Sequence, residues 1–447
     1  MHLSQSHRMI ARLAFPLFLG QLGNIAVGFA DNIMVGHYST DALASASFVN
    51  NVFNVALLAA LGFTMGLTPL VGSLFAKGES GAIGRLVRTG MWASLMFTTL
   101  VMCAMVLLYF NLDRLGQPGH LMPIIRPYFL TVLAGMLPLT VFNVLSQWSF
   151  ALNRTGLPTW IILGSNVLNV AGNYVLIFGH FGAPELGLQG AGYSTLFSRL
   201  VCMVAMGAFF CRSRFAAPYR AGFRRAPRVG GQMRTVFATG VPVALQMAFE
   251  TAAFSGSAVM AGWIDHISLA AIQIVIISGM LGFCIYYSIG NAMAIPVSHA
   301  AGRGDHRAMR RIAWSGYHLI LSCMVVVCCL FLFAGRSIMG LFTEDPAVLS
   351  LAVTLVVPMA LYQFGDATQI TFANALRGTS RVMPMLYIAF VSYIVIGLPS
   401  TYILAFPLGL KLYGIVLSFS ISLFVAAGLY FYFFMRATRP EKNIVSQ

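Results

Sequence analysis

Charge is what this 447-residue chain has least of. Only 9% of its residues are Asp, Glu, Lys or Arg, while 58% are hydrophobic. Soluble proteins carry about one quarter charged residues, so a water-facing globule of this size is excluded. Acidic residues are the scarcest: there are twelve Asp and Glu against 27 Lys and Arg. No GxxxxGK[ST], HExxH or GxSxG pattern occurs, which argues against ATP hydrolysis, zinc proteolysis and serine-hydrolase chemistry. No enzymatic activity and no cofactor are expected. The seven cysteines form no CxxC pair and all fall in or beside apolar runs, as small buried hydrophobes do.

What the chain has instead is long apolar runs. A helix needs about 20 apolar residues to cross a bilayer. Twelve such spans are read, near 13–37, 42–72, 90–112, 126–150, 158–181, 189–211, 236–262, 267–297, 313–334, 348–375, 383–405 and 413–435. The runs are continuous and lack period-2 alternation, which selects helices over barrel strands. The first run follows His2, His7, Arg8 and Arg12 but continues into Asp31 with no cleavage pattern. It is read as a transmembrane helix and not as a signal peptide.

The excess of basic charge is a topology signal. With the N-terminus inside, 22 of the 27 Lys and Arg fall on one side of the membrane. By the positive-inside rule both termini are cytoplasmic. That distribution argues against a nucleic-acid face, and the expected location is the inner (plasma) membrane, with the lipid bilayer as the surrounding partner.

The second half repeats the first at an offset of 226 positions. Pro16 aligns with Pro242, Gly36 with Gly262, Leu43-Ala44 with Leu269-Ala270, and Pro158 with Pro384. Gly78, Ala82, Arg85 and Gly90 align with Gly304, Ala308, Arg311 and Gly316. Six spans per half give both repeats the same orientation, related by an axis along the membrane normal. The fold class is therefore an all-α membrane protein, with twelve transmembrane helices in two pseudo-symmetric six-helix bundles around a central cavity. The expected division is an N-lobe over 1–211, a basic cytoplasmic linker over 212–234, a C-lobe over 235–437 and a cytoplasmic tail over 438–447. Pro16 and Pro242 lie inside apolar spans and are candidate hinges, because proline removes a helix hydrogen bond. A static kink is the alternative.

Nine of the twelve acidic residues lie in loops or at span ends, and three do not: Asp31, Glu250 and Asp366. A carboxylate at membrane depth costs about 2.5–3.5 kcal/mol on insertion scales, so it marks a task more often than an accident. Tyr362 and Asp366 are four apart and share a helix face. Asn166, Asn169 and Asn173 form a polar stripe on span 5, suited to a carboxylate or a weakly held cation, or to gluing helices together. Thr195 and Arg199 add polar groups on span 6, and Gln21, Asn24 and Gln246 do so on spans 1 and 7. A buried carboxylate can cycle by taking up a proton or by replacing the hydration shell of sodium.

These residues resemble the multidrug and toxic compound extrusion (MATE) family, NorM-like branch, over nearly the whole chain, from about Ile10 to Phe434. The first helix carries Leu13-Ala14-Phe15-Pro16 and Phe29-Ala30-Asp31-Asn32-Ile33-Met34-Val35-Gly36-His37. Asn169, Asn173 and Tyr174, then Gly187, Gly190 to Gly192 and Thr195, follow the family's N-lobe pattern. Glu250 with Tyr362-Gln363-Phe364-Gly365-Asp366 is similar to its C-lobe cation site. Asn32 departs from the small hydroxyl residue frequent there. The resemblance implies efflux of small, drug-like, cationic or aromatic compounds by antiport with Na+ or H+. It assigns Glu250, Tyr362 and Asp366 to cation coupling, with a possible Na+ site there. It assigns Asp31, Asn169, Asn173 and Thr195 to a proton, cation or substrate site. A monomer is expected. The alternative is a flippase for lipid-linked precursors or polysaccharides, which would carry several basic residues in its cavity.

Overall fold

The computed structural model describes residues 3–224 and 230–439. Part of the expected linker, 225–229, and most of the expected tail, 440–447, lie outside them. The described chain is nearly all helix. Eleven helices are long and apolar enough to cross a membrane, and a bent pair completes a twelfth span. The twelve spans read from the hydropathy pattern are thus present as helices.

The first half contains α1 (Leu3–Tyr38), α2 (Thr40–Met65), α3 (Leu67–Ala76), α4 (Ser80–Tyr109), α5 (Met122–Ala134), α6 (Met136–Ala151), α7 (Gly156–Phe178), α8 (Leu188–Arg212) and a short α9 (Ala217–Arg224). The second half contains α10 (Gly230–Ile264), α11 (His266–Gly302), α12 (His306–Gly340), α13 (Pro346–Thr354), α14 (Val356–Gly378), α15 (Met383–Ala389), α16 (Leu398–Ala405) and α17 (Lys411–Ala437). A π-helical stretch, Phe390–Gly397, joins α15 to α16. The α13–α14 pair is bent by 50° and forms the tenth span. Spans two and four are also interrupted, at Gly66 and Gly135.

The repeat is visible in local backbone chemistry. Gly78 and Gly304, one offset apart, both adopt left-handed φ, +75° and +69°, which glycine permits without strain. Ser39 and Asp265, again one offset apart, cap the next helix: their side chains accept from the N–H of Ala42 at 3.4 Å and of Ser268 at 2.6 Å. Asp265 lies between helices, and the Ser268 backbone N–H holds its carboxyl below the usual carboxylate range.

Two compact units form, and their boundaries fall inside helices. One unit is Leu19–Ala244; the other joins α1 up to Phe18 to the chain from Leu245 onward. The lobes expected from sequence ended at 211 and began again at 235. The compact units divide instead two residues beyond Pro16 and two beyond Pro242. Nor is the described part of the linker a simple loop. Its α9 packs on α4 so closely that a Cβ at Gly84 would overlap the Tyr219 carbonyl, and one at Gly222 the Gly81 carbonyl. Arg88 Nη1 donates to the Phe223 carbonyl at 3.2 Å across the same contact.

Candidate functional site

Within the unit Leu19–Ala244, α1, α7 and α8 bring the expected N-lobe residues together. Asn169 and Asn173 are four apart on α7, and both are buried. Asn173 Nδ2 donates to Asp31 Oδ1 at 2.5 Å. Asn169 is best satisfied with its amide nitrogen toward Asp31 and its oxygen toward α8. It then donates to Asp31 Oδ1 at 3.0 Å and accepts from Thr195 N at 3.2 Å and Thr195 Oγ1 at 3.1 Å. Asp31, Asn169, Asn173 and Thr195 thus form one connected cluster. Asn166 sits a turn away and donates to Asn24 Oδ1 at 3.4 Å, linking α7 to α1 at an exposed position. Ser194 Oγ donates to the Asn169 carbonyl at 2.7 Å and locks α8 to α7 behind the cluster. The carboxylate is therefore met by N–H donors from α7.

The other unit has a different composition. Glu250 on α10 accepts from Gln246 Nε2, one turn earlier, at 2.8 Å. Tyr362 and Asp366 lie on the buried face of α14. Glu250 and Asp366 are close enough for their charges to interact. The expected C-lobe residues are thus grouped, within one unit, about two carboxylates and a phenol.

Several partners here were not assigned from sequence. Gln363 is fully buried, and neither end of its amide has a hydrogen-bond partner among the described residues. The hydroxyls of Tyr286 and Ser278, on α11, are buried and equally without partners. Two glycines of α11 make room for these groups. A Cβ at Gly282 would stand 2.8 Å from Gln363 Oε1 and 3.0 Å from the Tyr286 hydroxyl, so both oxygens crowd one point. A Cβ at Gly279 would overlap the Tyr362 hydroxyl. Tyr393, buried in the π-helical stretch, lies beside Glu250. Buried polar atoms are nearly always satisfied, so these idle oxygens, in the same unit as the two carboxylates, add to a donor set suited to a hard monovalent cation or to water. The one sequence signal was the pair Gly282 and Gly279, four and seven residues before Tyr286, on one helix face. No group of three or more His, Cys, Asp or Glu side chains placed to hold a metal ion occurs among the described residues.

Pro16 and Pro242 lie inside α1 and α10, each of which continues through its proline as one helix.

The MatE family model matches residues 16–175 and again 242–403. The chain belongs to this family. The two matches begin 226 residues apart, the offset of the internal repeat (242 − 16). Among curated relatives, the chain is 32% identical to a probable multidrug resistance protein NorM of Bradyrhizobium diazoefficiens, over 96% of this chain and 93% of that one. It is 31% identical to the multidrug resistance protein PmpM of Pseudomonas aeruginosa, over 87% and 82% of the two chains. Among solved structures, a mutant of the Vibrio cholerae MATE transporter VcmN superposes with a TM-score of 0.88 at 14% identity, over 98% of each chain. At that identity the likeness speaks for the fold alone. The chain is thus a multi-pass membrane protein of the MatE family, whose curated relatives are named for multidrug resistance.

Proposed function

We propose that this MatE-family protein is a secondary efflux transporter that exports cationic and aromatic compounds in exchange for Na+ or H+ by alternating access. It performs no covalent chemistry and requires no cofactor. The observation that carries the reading is the pair of unlike carboxylate clusters, one in each compact unit: Asp31 among amide donors, and Glu250 with Asp366 among unpartnered oxygens. A carboxylate that gains and loses a cation changes the local charge by one unit and can bias a two-state protein. Glu250, Tyr362 and Asp366 serve the coupling cation, with Na+ as a fitting occupant. Asp31, Asn169, Asn173 and Thr195 serve a proton, a cation or the substrate. Pro16 and Pro242 are the hinges. The protein works as a monomer in the inner membrane, with both termini in the cytoplasm.

The test is dye export from reconstituted vesicles, with a sodium gradient and a pH gradient imposed separately. Wild type exports a fluorescent cationic dye under at least one gradient. Glu250→Gln and Asp366→Asn lose gradient-driven export, and Asp31→Asn loses it at every pH. Unchanged export by both C-terminal variants would remove the proposed coupling site.

A further inference from the structure

In the unit Leu19–Ala244, an arginine that makes no hydrogen bond to the cluster described above stands one helical turn from it. Arg199 lies on α8 one turn after Thr195, on the same helix face. Its side chain crosses the backbone of Gly135, the residue between α5 and α6. A Cβ built on Gly135 would stand 2.7 Å from Arg199 Nη1 and 3.1 Å from its Cδ. Only glycine leaves the arginine this seat. Nη1 is buried and has no hydrogen-bond partner among the described residues. The groups near enough to feel its charge are Asp31, the Tyr128 phenol and the Cys202 thiol. Asp31 is the only carboxylate in that set.

A guanidinium does not lose its proton in a protein. Unlike a bound ion, it also cannot leave. Asp31 therefore accepts from two amide N–H groups and lies within electrostatic reach of a permanent positive charge. A metal ion wants the opposite environment, several oxygens turned inward. The cluster around Glu250 and Asp366 has such oxygens to spare.

We propose that Arg199 is a tethered counter-ion that bars metal cations from the Asp31 cluster and so sets the ion specificity of that unit. A monovalent ion about 8 Å from a guanidinium, at an effective dielectric of about 20, loses affinity by roughly 10-fold or more. Inorganic cation binding is left to the other unit. This rests on the reading of Asp31 as an ion-coupling residue, but its test requires no transport.

The experiment is equilibrium binding of radioactive sodium to purified full-length protein. All samples carry Glu250→Gln and Asp366→Asn, so that the second cluster does not contribute. With Arg199 in place, sodium binding is absent, and Arg199→Lys behaves the same. Arg199→Gln creates a sodium site, at least roughly 10-fold tighter than before, and adding Asp31→Asn removes it. Two results overturn the proposal. One is sodium binding that needs Asp31 while Arg199 is present. The other is a folded Arg199→Gln protein that gains none. Should the glutamine variant not fold, Arg199→Met, which keeps the apolar stem and removes the charge, takes its place with the same two outcomes. A failure of dye export alongside the expected sodium result would count against efflux and leave the ion specificity standing.

Discussion

Asp31 receives two amide N–H groups, and each can be removed singly. Replacing Asn173 by leucine keeps the volume roughly constant but deletes the donor at 2.5 Å. A hydrogen bond to a charged group contributes about 1.5–3 kcal/mol, so Asn173→Leu should lower the melting temperature of purified protein. Asn166→Leu, which loses only an exposed 3.4 Å contact, should leave it within error. Equal losses in the two variants would show that the stripe works as helix glue and not as support for the carboxylate. Asp265 offers a pH-dependent case. Its carboxyl titrates below the usual range because it caps the Ser268 N–H. A depressed folded-state pKa stabilises the protein above the unfolded value, near 3.9, and that contribution disappears as pH falls through the folded value. Asp265→Ala should therefore melt earlier than wild type at pH 7, with the gap closing as the pH falls below the unfolded value of about 3.9. A gap that stays constant with pH would sink the capping argument. Much of the N-lobe cluster was legible in the sequence, because Asp31 at membrane depth and three asparagines at helical spacing are rare in apolar runs. The orphaned oxygens of Tyr286 and Gln363 were not. A tyrosine or glutamine in an apolar span carries no mark of whether its polar end has a partner; that depends on which helix lies opposite.

At the scale of elements, the interruptions carry most of the new information. Apolar runs announce length, and twelve runs became twelve spans. The breaks at Gly66, Gly135 and Leu355, and the π-helical turn holding Tyr393, left no trace in the hydropathy pattern, because both sides of each break are equally apolar. The converse holds for α9. Its arginines suggested a polar connection, yet Tyr219 packs edge-on against Trp148 with ring centroids 5.7 Å apart, and Gly222 lets its backbone rest on Gly81. Long basic side chains can cover apolar surface while their heads stay in water, so composition alone could not show that face. Forcing α9 off α4 gives the prediction at this scale. A side chain at Gly222 would overlap the Gly81 carbonyl, and overpacking of this kind costs about 1–3 kcal/mol. Gly222→Val should lower the melting temperature by that equivalent and speed proteolytic cutting near Arg220 and Arg224. Unchanged melting and cutting would mean that α9 is not docked in the membrane-embedded protein.

At the scale of the whole molecule, each compact unit contains a stretch of chain from the opposite half of the sequence. Ser6, Ile10, Leu13 and Ala14 of α1 are buried in the unit that otherwise begins at Leu245, and His7 stands 6.1 Å from His318 there, ring to ring. Val236, Val243 and Ala244 of α10 are buried in the unit Leu19–Ala244, where Phe237 meets Phe63 edge-on at 5.2 Å. Apolar burial gives little drive to helix association in lipid, where packing and interhelical hydrogen bonds do the work. A half-molecule cut at the repeat boundary therefore lacks one packed helix segment and keeps another with nothing to pack on. Co-expressed fragments divided after Arg224 should associate and co-purify, since each supplies the segment the other lacks. Either fragment alone should aggregate or be degraded. Substitutions of Ile10 and Leu13 by alanine should weaken recovery of the C-terminal fragment in the co-purification. Leu→Ala changes in packed interiors cost about 2–5 kcal/mol, enough to shift such an equilibrium by an order of magnitude or more. A C-terminal fragment that is monodisperse and stable without its partner would overturn this exchange of segments. It would also restore the simpler division, with one self-sufficient bundle per sequence repeat.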